Sequence, residues 1–172
     1  MVSQHEGALH QIVIVGGGAG GLELAVRLGK RLGKKRKARI ILVDASRTHL
    51  WKPLLHQVAA GTLDSHADER EYFALARSKH FEFRLGRMQG LSRDKKEIYL
   101  APTFDEEGNE LLPQQAIAYD QLVIALGSQT NDFGTKGAKE HCIMLDSLPA
   151  AERFHQKLVN CCLRAQTEQQ QV

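Results

Sequence analysis

Short apolar runs and a helical hydrophobic pattern follow one another near the start of the chain. Residues 12–15 form a β-branched run of the type found in strands that are covered on both faces, and residues 40–43 form a second one. Between them, the apolar residues of 19–32 recur at the spacing of a helix that packs on a sheet, and Gly33 stands where such a helix ends. We therefore predict a strand–helix–strand unit with parallel strands.

The middle of the chain has a pattern of shorter extended pieces. Alternation of aromatic and polar residues over 81–85 predicts a strand. Three further strands, at about 87–92, 96–101 and 115–119, are expected to form an antiparallel meander. A final buried strand is predicted at 122–125. The predicted fold class is therefore α/β, a Rossmann-like domain with a parallel sheet and an inserted antiparallel β-meander.

Two helices are predicted outside these strands, whereas the segment 45–63 is predicted to be irregular. Ser65 is expected to cap the first helix, which has acidic residues in its first turn and basic residues in its last. The second helix is predicted over 149–167, with Asp146 or Ser147 as its cap. Its apolar face is expected to comprise Phe154, Leu158, Cys161 or Cys162, and Ala165.

Composition indicates one globular domain. The 172 residues are enough to bury a core, and 42% hydrophobic with 25% charged residues is ordinary for a folded domain. The net charge is +3, and the basic cluster within 30–39 has no interleaved aromatic residues, so we interpret it as a solvated loop with no nucleic-acid partner. No apolar run approaches the ~18 residues of a membrane span, and no signal pattern opens the chain. We expect a cytoplasmic protein.

Neither the cysteines nor the histidines show a pattern of metal or disulfide chemistry. Cys142, Cys161 and Cys162 are odd in number and form no C-x-x-C pair, so we predict buried or half-buried free thiols. His49 and His56 have no cysteine or carboxylate partner at ligand spacing. We therefore predict no metal site.

The glycine-rich turn carries the first functional signal. Gly16, Gly18 and Gly21 satisfy G-x-G-x-x-G between a predicted strand and a predicted helix. In such a turn the first glycine permits the tight bend, the second lets the backbone approach a pyrophosphate, and the third allows close packing of helix on strand. Asp44 ends the second strand, where a carboxylate accepts hydrogen bonds from ribose hydroxyls. These parts predict a dinucleotide site.

Longer motifs resemble a particular group of flavoproteins. The strand end 125–128 resembles the FAD module of flavoproteins with two dinucleotide-binding domains, with leucine in place of the usual threonine. The segments 48–56, 58–64, 127–134 and 140–146 resemble the type II NADH dehydrogenases, which are single-subunit, non-proton-pumping NADH:quinone oxidoreductases. This resemblance covers nearly the whole chain.

The resemblance implies that FAD is the cofactor and identifies the positions that bind it. These positions are Gly16, Gly18, Ala19, Gly20, Asp44, Ser46, Lys52, Pro53, Met88, Ala125 and Gly127. The glycine turn would hold the pyrophosphate and Asp44 the ribose. Lys52 and Pro53 would border the flavin ring, and the backbone of Met88 would meet the adenine. No catalytic acid or base is identified.

Each of the less specific positions has a structural alternative. Lys52 is equally well explained as a solvated loop residue, and Pro53 as a residue that only fixes the loop. The side chain of Met88 is predicted to belong to the core, which is compatible with a backbone contact. Trp51 and Phe133 are predicted to take part in ordinary packing.

The resemblance also implies a division of the protein. Residues 1–145 are expected to be the N-terminal part of an FAD-binding domain, and 146–172 a helix and polar linker that lead towards a missing NADH-binding domain. In the full-length enzyme, FAD would transfer electrons from NADH to a quinone. No second G-x-G-x-x-G follows Gly21, so the chain by itself is expected to be inactive.

Further consequences and alternatives follow from the family. The full-length protein is expected to be peripheral on the cytoplasmic face of the inner membrane, through a missing C-terminal region, and a homodimer is left open.

Sulfide:quinone oxidoreductase is an alternative, but it needs redox cysteines near the flavin, and all three cysteines come after the strand at 122–125. A non-catalytic dinucleotide-binding module is the alternative from a different class.

Overall fold

A computed structural model describes residues 9–49, 51–64, 70–105 and 107–169. The chain divides into two compact units. The first comprises Met1–His49 and Arg70–Gly127, and the second comprises Leu50–Glu69 and Ser128–Val172.

The first unit contains all eleven strands of the described residues and two α-helices. In chain order its strands are β1 His10–Val15, β2 Ala38–Asp44, β3 Thr48–His49, β4 Arg70–Glu71, β5 Glu82–Leu85, β6 Met88–Ser92, β7 Glu97–Leu100, β8 Thr103–Phe104, β9 Glu110–Leu112, β10 Gln115–Ala118 and β11 Gln121–Ile124. Its first α-helix is α1 (Ala19–Leu28), which continues into a π-helical turn over Gly29–Gly33. Its second α-helix is α3 (Tyr72–Lys79). The second unit contributes a 3₁₀ turn at Lys52–Leu54 and the helices α2 Leu55–Ala60, α4 Ala138–His141 and α5 Leu148–Gln169.

A parallel sheet of four strands, in the order β11-β1-β2-β5, is the centre of the first unit. Ile14 and Leu42 are fully buried on one face in a cluster with residues of α1 and α3. Val13 and Val43 are fully buried on the other face, in a cluster with Ile98 of β7. Because both faces are covered, the two central strands β1 and β2 are continuous apolar runs. The predicted parallel strands are confirmed, but β11 was expected to be buried and is instead an edge strand in which Ile124 is 56% exposed.

The predicted meander is confirmed as an antiparallel sheet of three strands in the order β10-β7-β6. Sequence analysis missed the small hairpin formed by β8 and β9. Its turn is closed by Asp105, whose side chain accepts hydrogen bonds from the backbone of Glu107 and Asn109. Asp105 and residues 107–109 therefore belong to the tip of this hairpin.

The first predicted helix is confirmed over Tyr72–Lys79, the helix α3. Arg70–Glu71, which was predicted to be helical, pairs with Thr48–His49 as a short antiparallel ribbon. The predicted cap, Ser65, lies outside the described residues. The basic last turn is confirmed by Arg77 and Lys79, and the helix ends where His80 adopts a positive φ of 60°.

In the second unit, the segment predicted to be irregular contains α2. This helix packs on α5 through Leu55, Val58 and Ala59 against the fully buried Ala151. It ends at Gly61, whose φ of 74° suits a glycine cap. Because α2 has only six residues, its hydrophobic pattern is too short to be distinguished from a loop.

The final helix is confirmed, but the expectation of buried or half-buried cysteines is wrong, since Cys142, Cys161 and Cys162 are all exposed. Cys161 and Cys162 are exposed because the helix packs mainly through its first turns, and residues 156–167 are all exposed. Of the two residues predicted as its cap, Asp146 accepts hydrogen bonds from Thr130 through its carboxylate, and Ser147 directly precedes the helix. Ser147 lies at the start of the helix, where its carbonyl accepts from Ala150 and Ala151.

No helix among the described residues is both long enough and apolar enough to cross a membrane. Most of the basic cluster at 30–39 is exposed, as expected for a solvated loop. Arg39 is the exception, since it forms two hydrogen bonds of 2.7 Å with Glu82 of the neighbouring strand. These bonds lower the pKa of Glu82 and raise that of Arg39.

Candidate functional site

The glycine turn between β1 and α1 is closed on its inner side by protein backbone. Gly16 has a φ of 105°, and a Cβ there would lie 2.5 Å from the carbonyl oxygen of Ala125. A Cβ on Gly21 would overlap the carbonyl oxygen of Gly16. The predicted reasons for these two glycines, a tight bend and close packing of helix on strand, are confirmed.

The outer side of the same turn is open. A Cβ on Gly18 or Gly20 would meet no atom within 4 Å, and both residues are exposed, as is Ala19 between them. The hydrogen bond from the N–H of Leu22 to the carbonyl of Gly18, 2.9 Å long, begins the helix. The N–H groups that precede it have no helical carbonyl to donate to. Free N–H groups and the positive end of the helix dipole favour an anion at this position.

Asp44 lies at the end of β2 and braces the turn. One carboxylate oxygen accepts a hydrogen bond of 2.6 Å from the N–H of Gly17, and the other accepts one of 2.8 Å from the N–H of Ser46. A carboxylate has about four acceptor positions, so roughly two remain for ligand hydroxyls. The predicted carboxylate is therefore beside the predicted turn, and it has a structural role that sequence analysis did not foresee.

Tyr72 is the part of this site that sequence analysis missed. Its side chain is 2% exposed, and its hydroxyl donates a hydrogen bond of 2.7 Å to the carbonyl of Gly17. A Cβ on Gly17 would overlap this hydroxyl. Burial, followed by the negative charge of Asp44, raises the pKa of Tyr72, so the hydroxyl stays protonated at neutral pH. No local signal marks the contact, because 55 residues separate its two partners.

The other predicted positions of the first unit lie at strand ends. Ala125 follows β11, and its N–H donates to the carbonyl of Val15 at 2.8 Å, which fixes it beside the turn. Met88 opens β6, and its half-buried side chain packs on the cluster below the sheet, as predicted. Gly127 is exposed at the end of the unit. The first unit thus contains nine of the eleven predicted positions.

Lys52 and Pro53 belong to the second unit, where they form the 3₁₀ turn before α2. The ammonium group of Lys52 donates a hydrogen bond of 2.7 Å to the carbonyl of Ser128 and lies 3.9 Å from the carboxylate of Asp146. Asp146 also accepts from the N–H and the hydroxyl of Thr130, and these bonds lower its pKa. Lys52 is therefore hydrogen-bonded within the second unit, while its side chain is 52% exposed.

The two aromatic residues do not pack as predicted. Trp51 is 53% exposed and Phe133 is 88% exposed. Phe133 also has a positive φ of 50°, in a turn where the side chains of Asn131 and Asp132 accept backbone hydrogen bonds. Among the described residues, no group of three or more histidine, cysteine, aspartate or glutamate side chains is arranged to hold a metal ion.

Comparison with known proteins agrees with this architecture. The pyridine nucleotide-disulphide oxidoreductase family matches residues 10–169. The chain is 46% identical to the type II NADH:quinone oxidoreductase of Haemophilus influenzae, over 91% of this chain and 35% of that protein. It is 32% identical to the mitochondrial sulfide:quinone oxidoreductase of Dictyostelium discoideum, over 76% of this chain and 26% of that protein.

The fold is also that of solved structures. NDH2 of Plasmodium falciparum superposes with a TM-score of 0.75 over 92% of this chain and 30% of that chain, at 19% identity. The chain thus spans about a third of the length of the relatives it matches. The predicted resemblance to the type II NADH dehydrogenases is confirmed, and the chain belongs to the pyridine nucleotide-disulphide oxidoreductase family.

Proposed function

We propose that this chain is the FAD-binding part of a type II NADH:quinone oxidoreductase, with the pyrophosphate of FAD on the turn Gly16–Gly21. The observation that carries the proposal is the difference between the two sides of this turn. Protein atoms close the inner side, whereas Gly18 and Gly20 leave the outer side open at the start of α1. A pyrophosphate requires such a turn, with a backbone held in place on its inner side and accessible on its outer side.

The residues around the turn fit the rest of a dinucleotide. The N–H groups of Gly18, Ala19 and Gly20 would bind the pyrophosphate oxygens. The remaining acceptor positions of Asp44 would bind the ribose hydroxyls, with Ser46 beside it. When bound, the flavin supplies the redox chemistry, accepting a hydride from NADH and passing electrons to a quinone. The protein binds and orients it.

The remaining assignments rest on the family resemblance. We assign Lys52 and Pro53 to the loop that borders the flavin ring, the backbone of Met88 to the adenine, and Ala125 and Gly127 to the strand end beside the cofactor. The hydrogen bond to Ser128 restricts the ammonium group of Lys52, as such a role requires. We retain 1–145 as the FAD-binding region and 146–172 as the connection towards an NADH-binding domain.

The proposed substrates of the whole enzyme are NADH and a quinone, with the enzyme at the cytoplasmic face of the inner membrane and a homodimer left open. The 172 residues contain one glycine fingerprint, and hydride transfer needs a nicotinamide held against the flavin. We therefore expect little NADH:quinone turnover from the FAD-loaded chain. An assay with NADH and a water-soluble quinone measures this, and robust turnover would contradict it.

Sulfide:quinone oxidoreductase is the second candidate, favoured by the 32% identity to such an enzyme. That chemistry needs redox cysteines near the flavin. The cysteines of this chain are three exposed residues in the second unit, two of them adjacent in α5. Sulfide is therefore expected to leave the absorbance of protein-bound FAD unchanged, and bleaching by sulfide would favour the second candidate.

Titration of FAD into the purified chain tests the proposal. Saturable quenching of flavin fluorescence at a ratio of one FAD per chain is expected, together with a higher melting temperature. The control variant is Asp120→Ala, which removes a carboxylate that accepts a 2.7 Å hydrogen bond from the backbone of Gln11, away from the glycine turn. It should bind FAD as the unmodified chain does. A chain that takes up no FAD and keeps its melting temperature would contradict the proposal.

A further inference from the structure

The side chain of Tyr72 is fixed at both ends. Its ring stacks on Phe83 of β5, with ring centroids 4.8 Å apart and planes 23° apart. Its backbone N–H donates to the carbonyl of Arg47 at 3.1 Å. The hydroxyl then reaches the carbonyl of Gly17 at 2.7 Å. A tyrosine held in this way has little freedom to point its hydroxyl elsewhere.

This contact determines the orientation of a peptide plane in the turn. The carbonyl of Gly17 and the N–H of Gly18 belong to the same peptide group, and in a trans peptide they point in opposite directions. Because Tyr72 holds the carbonyl on the buried side, the N–H of Gly18 points away from it. On Gly18, a Cβ would meet no other atom within 4 Å, so there is space for a ligand beside this residue.

The preceding peptide plane is fixed as well. The N–H of Gly17 donates to the carboxylate of Asp44 at 2.6 Å. Both peptide planes that flank Gly17 therefore have side-chain partners, one acidic and one phenolic. Glycine permits many backbone conformations, so without such partners this turn could rotate the Gly17 carbonyl towards the ligand, where it would repel a phosphate oxygen.

We infer that Tyr72 is a positioning residue of the dinucleotide site, which aims the N–H of Gly18 at the pyrophosphate by holding the Gly17 carbonyl away from it. The inference rests on the proposed function. It adds a residue that does not touch the cofactor and that lies outside the glycine fingerprint. A tyrosine hydroxyl is protonated at neutral pH, and burial with the charge of Asp44 raises the pKa of Tyr72 further, so the hydroxyl remains a donor.

The test compares Tyr72→Phe with the control Tyr99→Phe. The first change keeps the stacked ring and removes only the hydroxyl that holds Gly17. The second removes a hydroxyl that contacts Glu97 at 3.1 Å in the meander. We expect Tyr72→Phe to weaken FAD binding by roughly five- to tenfold, the size of one lost hydrogen bond, and Tyr99→Phe to leave it unchanged.

A merely structural role would not change the environment of the phosphates, so the bound cofactor supplies a second readout. The ³¹P resonances of FAD bound to Tyr72→Phe should differ from those of FAD bound to the unmodified chain. The resonances of FAD bound to Tyr99→Phe should superimpose on those of the unmodified chain. Replacing Tyr72 by 4-aminophenylalanine, which restores a donor on the same ring, should recover the affinity. Unchanged affinity with superimposable ³¹P spectra for Tyr72→Phe overturns the inference.

Two outcomes separate this inference from the proposed function. If the unmodified chain binds no FAD, the proposed function fails and the inference fails with it. If the unmodified chain and Tyr72→Phe bind equally well and give superimposable ³¹P spectra, only the inference fails. Should Tyr72→Phe not fold, 3-fluorotyrosine at position 72 is used instead, because it keeps the ring and the hydroxyl and changes only how strongly the hydroxyl donates to the Gly17 carbonyl. The ³¹P resonances of bound FAD should then shift, and unchanged resonances with unchanged affinity overturn the inference.

Discussion

The glycine turn of the first unit and the Lys52 turn of the second unit are both predicted cofactor contacts, but they are held in different ways. The glycine turn has no room for side chains at three positions, because a Cβ would come within 2.5 Å of other protein atoms at Gly16, Gly17 and Gly21. The side chains of Asp44 and Tyr72 also hold its backbone by hydrogen bonds. Lys52 is held by one carbonyl and one carboxylate, and its side chain is 52% exposed. The first arrangement is buried and sterically determined, whereas the second is exposed and polar.

This difference indicates how each region should respond to substitution. Overlap with buried backbone cannot be relieved by moving a side chain, so changes at the turn should affect both folding and binding. Contacts between exposed charged groups contribute little to stability. Changes at the Lys52 turn should therefore leave the fold intact.

The largest effect is expected from Gly21→Ala. Its new methyl group would overlap the carbonyl oxygen of Gly16, and such overpacking costs about 3 kcal/mol or more. Chemical denaturation should show this loss. Gly18→Ala is the matched control, since its methyl group would enter open space and should cost less than about 1 kcal/mol.

The same two variants also test where FAD binds. Gly18→Ala should fold normally and still bind FAD at least roughly tenfold more weakly, because its methyl group occupies the place of the pyrophosphate. If Gly18→Ala bound FAD normally, the open side of the turn would not be the binding face.

A smaller effect is expected from Asp44→Ala. The change leaves the N–H groups of Gly17 and Ser46 without their acceptor, which costs about 1–3 kcal/mol where the groups are buried. The melting temperature should fall, and FAD should bind more weakly because a ribose partner is lost. Unchanged FAD affinity would remove Asp44 from the site, even if stability fell.

The buried hydroxyl of Tyr72 gives the next prediction, which concerns alkaline pH. Its pKa is raised by burial and by Asp44, so the unfolded chain loses this proton first as the pH rises above about 10. Ionisation then stabilises the unfolded state, and the folded state loses stability in that range.

Tyr72→Phe lacks this proton. The unmodified chain should be more stable than Tyr72→Phe at pH 8, and the difference between their melting temperatures should shrink above about pH 10. A difference that stays constant to pH 11 would show that Tyr72 does not titrate abnormally.

The smallest effect is expected from Asp146→Ala in the second unit. Hydrogen bonds from Thr130, with the charge of Lys52, lower the pKa of Asp146. Its contribution to stability is therefore present at neutral pH and is lost as the pH falls through this lowered pKa. The variant should lose less melting temperature at pH 7 than Asp44→Ala. An equal or larger loss would show that the exposed cluster is as important to folding as the buried turn.

The sequence predicted the turn well because its constraints are local. The apolar runs at 12–15 and 40–43 and the spacing of the glycines reflect one strand–helix–strand unit. Tyr72 was missed because it contacts Gly17 across 55 residues, which no local pattern records. The cysteines of α5 are exposed although their spacing predicted buried or half-buried thiols, because burial depends on which faces of a helix have neighbours.

A crystal structure of the chain with FAD would show directly where the pyrophosphate binds. We expect pyrophosphate oxygens within hydrogen-bond distance of the backbone nitrogens of Gly18, Ala19 or Gly20, with a ribose hydroxyl at Asp44. A pyrophosphate bound elsewhere, with the turn Gly16–Gly21 facing only solvent, would contradict this expectation.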